Sequence, residues 1–142
     1  MKSGVAAAHD LDRLRAQPLF AALGDEALRR VAEISVEIDF PAGQTLVHAG
    51  DPGAGMFVIE AGTVVVEARG ENMIELGPGE FVGELALLVP ESTRSARVRA
   101  TSHVRALAIA GGDFRELLED EPRIALAMLP VVAERLWRAR SW

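Results

Sequence analysis

Apolar positions along the chain change their spacing twice. In "LDRLRAQ", Leu11 and Leu14 stand three apart, which predicts a turn of helix that Pro18 stops. "PLFAALGDEALRRVAEI" follows, with a break and an N-cap at Gly24-Asp25 and a helical stripe of Leu28, Val31 and Ala32. From Ile34 to Ile109 the segments are short, rich in valine and isoleucine, and separated by glycines, as in "ISVEIDF", "MFVIEAG" and "TVVVEARG". Strands of about five residues with turn signals every 8–12 residues or so predict an antiparallel sandwich or barrel. No long helical stretch separates them, which argues against a parallel sheet. Helical spacing then returns. "GGDFRELLEDEP" predicts a short helix beginning near Asp113. A longer one starts with Pro122 in its first turn and carries Ile124, Met128, Val131, Val132 and Leu136. Pro130 inside it removes one backbone hydrogen bond and is expected to kink it. The expected layout is a single domain over 1–142, with a helical lead-in over about 9–33, a β-roll over about 34–110 and C-terminal helices over about 111–140.

Two residues break this pattern. In "GELALLVPESTRSARVRA", Ala96, Val98 and Ala100 share one strand parity and face inward, while Arg97 and Arg99 share the other and face water. Arg94 has the inward parity, and a buried arginine needs an anion. Glu84 follows Gly83 and opens "ELALL", a short helical start whose first N–H groups have no partner within the helix. A helix start and a guanidinium together suit a phosphate, which arginine meets with two parallel bonds. Glu84 would repel that phosphate unless it accepts a hydrogen bond from an adjacent hydroxyl, such as a ribose 2′-OH. The residues therefore ask for a phosphorylated ribose. A structural ion pair between Glu84 and Arg94, closing a loop, satisfies the same residue types.

Composition narrows the field further. The chain has 142 residues, enough for one domain with a real core. Its net charge of −6 argues against a broad nucleic-acid surface. The late arginines, from Arg94 to Arg105 and from Arg135 to Arg140, read as a solvated strand face and a helix end matched to the dipole. The absence of cysteine excludes disulfides, thiolate metal sites and a cysteine nucleophile. No apolar run approaches the roughly 20 residues that span a bilayer. The N-terminus is too short in apolar length and too soon charged for a secretory signal, so a cytoplasmic location is expected.

The stretch from Gly83 to Ala100 resembles the phosphate-binding cassette of the cyclic-nucleotide-binding domain family. That pattern reads Gly-Glu, two or three small or aliphatic residues, a variable loop, then Arg-Ser/Thr/Ala-Ala and alternating aliphatics. The chain matches it at Gly83, Glu84, Leu85, Ala86, Leu87, Arg94, Ser95, Ala96, Val98 and Ala100. The likeness extends outward over about Pro18 to Leu136, through "PLFAALGDEALRRVA", "AGDPGAGMFVIEAGTVVV" and "LGPGEFVGE". It implies a mainly β fold, an eight-stranded antiparallel jelly-roll β-barrel (double-stranded β-helix) with N-terminal helices and C-terminal lid helices. It implies cAMP or cGMP as ligand and no metal. Arg94 would pair with the exocyclic phosphate oxygens and Glu84 would accept the ribose 2′-OH. Backbone N–H groups near Gly83, Leu85, Ser95 and Ala96 would complete the cradle, with the Ser95 hydroxyl adding a bond. The last helix would close over the base, with Arg135 as the lid contact and Trp137 second. Ser95, where cGMP binders of the family often carry threonine, favours cAMP. Two departures stand out: Thr93 where family members often place Gly or Pro, and Pro130 in the lid helix.

Family transcription factors append a helix-turn-helix reader, which these 142 residues do not contain, so no nucleic-acid partner is expected. No membrane contact by the chain itself is expected either. The terminal helices are candidates for homodimer or effector contacts, because they would move when a lid closes. An enzyme of the cupin type would share a jelly roll but would need clustered histidines on a metal. His9, His48 and His103 form no such cluster in sequence, no Ser-His-Asp order is present, and no catalytic residue is expected. The alternative within the fold is a degenerate cassette that serves as a dimerisation or docking module, or that takes another small anion.

Overall fold

A computed structural model describes residues 11–48, 55–68, 73–83 and 96–139. Helix α1 (Leu11–Arg15) is a single turn that buries Leu14, and Pro18 opens the 3-10 turn Pro18–Phe20 directly after it. Helix α2 (Asp25–Ile34) buries Leu28, Val31 and Ala32, the three positions of the expected stripe. Its N-cap is Gly24 in an extended conformation, and no side chain caps it. Asp25 is instead the first helical residue, where its charge complements the helix dipole and pairs with Arg15.

Eight strands follow: β1 (Ser35–Phe40), β2 (Thr45–Val47), β3 (Gly55–Ala61), β4 (Val64–Ala68), β5 (Met73–Leu76), β6 (Phe81–Val82), β7 (Ala96–Ala100) and β8 (Val104–Ala110). They form two four-stranded sheets, ordered β1-β8-β3-β6 and β2-β7-β4-β5, and every pairing is antiparallel. The two sheets face each other without closing, so the expected barrel is an open jelly roll. Between them lies a core that includes Phe40, Ile59, Val64, Leu76, Val98 and Val104, with Phe57 edge-on to Phe40 at 5.7 Å between ring centres.

The first sheet is apolar on both faces, because its outer face is covered by helices. Met56, Val58, Leu107 and Ile109 pack outward against Phe20, Leu28, Val31, Phe114 and Ile124. This is why β3 and β8 read as near-continuous apolar runs. Each such fully buried large side chain contributes about 1.5–3 kcal/mol. The far end of the same face is charged. Glu60 has a side chain only 4% exposed and accepts from Arg13 at 2.7 Å; Arg13 also bonds Glu37. The Glu60 hydrogen bond raises the Arg13 pKa against the opposing effect of burial, so α1 is tied to the sheet by a permanently charged guanidinium.

The C-terminal helices are α3 (Gly111–Asp120) and α4 (Pro122–Ala139). Helix α3 begins two residues before the expected Asp113, because Ala110 is its extended N-cap and Gly111 and Gly112 take up the first turn. Helix α4 continues across Pro130. The carbonyl left without an N–H partner is that of Leu126, a residue 68% exposed, so the chain loses that bond on the solvent side. Ile124 and Met128 are buried and Val131 and Val132 pack against the core, but Leu136 is 63% exposed, so the apolar stripe ends before it.

Candidate functional site

The approach to the Gly-Glu pair is built by a tight turn on β3. The Gly79 N–H donates to the Ile59 carbonyl and the Ile59 N–H donates to the Glu80 carbonyl, both at 2.8 Å. The Glu80 carboxylate accepts from the Gly77 N–H at 3.1 Å. Strand β6 then pairs with β3 for two residues only, Phe81 opposite Val58 and Val82 opposite Phe57. It ends at Gly83, whose φ of 92° lies in the left-handed region that glycine adopts without strain. The glycine of the motif is thus where the backbone leaves the sheet. On the other side, β7 begins at Ala96, which pairs with Ala68 of β4. The segment that joins Gly83 to Ala96 therefore connects an edge strand of the first sheet to an inner strand of the second. Glu84, Leu85, Arg94 and Ser95 belong to that segment and lie outside the described residues, as does Thr93.

Arg135 is described, and it faces the motif's approach. Its guanidinium donates to the Phe81 carbonyl at 2.7 Å and sits 4.7 Å from the centre of the Phe81 ring. One arginine thus contacts both the backbone and the ring of a residue two positions before Gly83. The ring supplies a π face and the carbonyl an acceptor, so the last helix is held against the strand that leads into the motif. Phe81 was not legible as a partner of Arg135. The only signal for it was an aromatic residue close to a Gly-Glu pair, which spacing alone cannot link to a helix some fifty residues later.

Strand β7 has the anticipated alternation. Val98 and Ala100 are buried, Arg97 is exposed and Arg99 is partly so. Both arginines meet Glu67 on the neighbouring β4, Arg97 at 2.7 Å and Arg99 at 3.1 Å. These bonds, Arg99's first, hold the Glu67 carboxyl below its ordinary value. The outward arginines are thus occupied on the surface by Glu67. His103 pairs with Asp39 at 3.2 Å, and His48 is exposed at the end of β2. Among the described residues no group of three or more His, Cys, Asp or Glu side chains is placed to hold a metal ion. No described helix is long and apolar enough to cross a membrane.

Comparison with known proteins gives the fold a lineage. The family model for the cyclic nucleotide-binding domain matches residues 37–121. A cyclic nucleotide-gated potassium channel of Mesorhizobium japonicum is 37% identical over 126 residues, which are 89% of this chain and 35% of the channel. The chain thus spans about a third of that relative's length. Among solved structures, the N-terminal domain of a transcriptional regulator from Streptomyces coelicolor A3(2) is 37% identical with a TM-score of 0.66, over 92% of this chain and 99% of that one. The Thermus thermophilus catabolite activator protein is 29% identical with a TM-score of 0.72, over 86% of this chain and 59% of that one. The matched region runs from β1 through the Gly-Glu and Arg-Ser-Ala motifs to the end of α3, and the open roll with helices on its outer face is that of these relatives. The chain belongs to the cyclic nucleotide-binding domain family.

Proposed function

We propose that the chain is one regulatory sensor domain that binds a cyclic nucleotide, cAMP in preference to cGMP, and performs no chemistry on it. In this reading Arg94 pairs with the phosphate and Glu84 accepts the ribose 2′-OH. Backbone N–H groups near Gly83, Leu85, Ser95 and Ala96 complete the cradle. Helix α4 closes over the base, with Arg135 on the lid, and its movement carries the signal. The observation that supports this most is the Arg135–Phe81 contact, because it already couples α4 to the strand that enters the Gly-Glu motif. The family match across both halves of the motif supports the ligand class. Ser95 after Arg94 supports cAMP.

The signal needs a recipient. Helix α4 exposes Leu126, Leu129, Leu136 and Trp137, each more than 60% accessible. Such a surface suits contact with an effector or a second copy of the chain, and a cytoplasmic setting supplies the ligand. The test is calorimetric titration of the purified chain with cAMP, cGMP and 5′-AMP. Saturable binding of cAMP, weaker binding of cGMP and none of 5′-AMP is the expected result. Equal binding of 2′-deoxy-cAMP and cAMP would remove the role given to Glu84. If none of the nucleotides binds, the domain is a docking module and the exposed face of α4 becomes its working surface.

A further inference from the structure

A cavity lies in the roll. It is a cleft of about 740 Å³ between the first sheet and β2, flanked by the end of α2 and the start of α3. None of the described residues of the proposed nucleotide site, Gly83, Ala96 or Arg135, lines it. Its walls are apolar and include Val36, Ile38, Leu46 and Phe57. Its size falls within the roughly 300–1,000 Å³ range of small-molecule sites. Its rim carries negative charge. Glu33 lies in the last turn of α2, a turn with no basic residue, where the helix dipole already places partial negative charge. Asp113 reaches the same cleft from the first turn of α3. Neither carboxylate has a cationic partner among the described residues, whereas Glu37, Glu60 and Asp120 each pair with an arginine. An apolar wall beneath two unpaired carboxylates and a helix C-terminus is complementary to an apolar body with one positive charge.

We propose that this cleft is a second ligand site, separate from the nucleotide site, that takes a small apolar organic cation. The inference does not depend on nucleotide binding, and the two are tested apart. The ¹⁵N-labelled chain is titrated with 1-adamantylamine at pH 8. The neutral 1-adamantanol and the anionic 1-adamantanecarboxylate share the apolar body and serve as controls. The amine should saturably shift the amide signals of Ile34, Val36, Phe57 and Ala110, the alcohol should bind at least fivefold more weakly, and the carboxylate should bind weakest. Glu33→Gln with Asp113→Asn, both exposed positions, should reduce amine affinity at least fivefold and leave nucleotide binding unchanged. Equal binding of the three probes, shifts outside the cleft only, or an unchanged affinity in the double variant would overturn the proposal. So would displacement of the amine by saturating cAMP, which would make the cleft part of the nucleotide site.

Discussion

Replacing Arg135 by alanine removes at least the two contacts it makes with Phe81. The first is a hydrogen bond from a charged donor to the Phe81 carbonyl at 2.7 Å, and bonds of this kind contribute about 1.5–3 kcal/mol. The second is the guanidinium over the Phe81 ring at 4.7 Å, worth about 0.5–1 kcal/mol at a partly exposed site. The two share one side chain and are not additive, and Arg135 is only half-buried, so a combined loss of about 2 kcal/mol is expected. For a chain of this size that corresponds to a fall in Tm of about 4–8 °C. Urea unfolding at pH 7, followed by circular dichroism, measures it. Phe81→Leu keeps the carbonyl and removes the ring, so a double-variant cycle should return a coupling of about 0.5–1 kcal/mol. A stability of Arg135→Ala within about 0.5 kcal/mol of wild type would refute the idea that this arginine holds α4 to β6. On the proposed function the same variant also binds cAMP more weakly, because the lid loses its anchor.

Arg94→Ala should weaken cAMP binding by about a hundredfold or more, since each bond of a charged, two-pronged phosphate contact is worth about 1.5–3 kcal/mol; titration calorimetry with unchanged affinity would remove Arg94 from the site. Gly62→Ala should cost about 2–4 kcal/mol, because Gly62 has φ of 88° and a Cβ there would stand 2.1 Å from the His103 carbonyl oxygen; a thermal melt matching wild type would contradict it. Glu67 has its folded pKa lowered from an ordinary 4.5 by Arg99 and Arg97, so its contribution is present above that pH and is lost as pH falls through the folded value. Urea midpoints of Glu67→Gln should therefore fall less steeply than those of wild type below about pH 4.5, and parallel curves would exclude the effect.

Much of the architecture is local physics and could be read directly. The stripe of Leu28, Val31 and Ala32 places a helix because its spacing repeats every turn, and the alternation of Arg97 and Arg99 with Val98 and Ala100 places a strand because successive side chains change faces. Pro122 marks a helix start for a reason carried within a single residue, its fixed φ. Charge and parity also put a demand on Arg94 for an anion, which a phosphate beside a hydroxyl or an ion pair with Glu84 would meet equally; both residues lie outside the described ones.

Other features required the chain to be folded. Spacing could predict short antiparallel strands but not their division into β1-β8-β3-β6 and β2-β7-β4-β5, because pairing between strands distant in the chain is decided by the packing of the whole roll. Leu136 has helical spacing yet is exposed, since the core it would join ends with Val131 and Val132. The partnership of Arg135 with Phe81, the clamp of Arg13 on Glu37 and Glu60, and the acidic rim of Glu33 and Asp113 all join residues far apart in the chain. A residue's neighbours along the backbone determine its local conformation. Its charge and hydrogen-bond partners come from packing, and packing is a property of the whole fold.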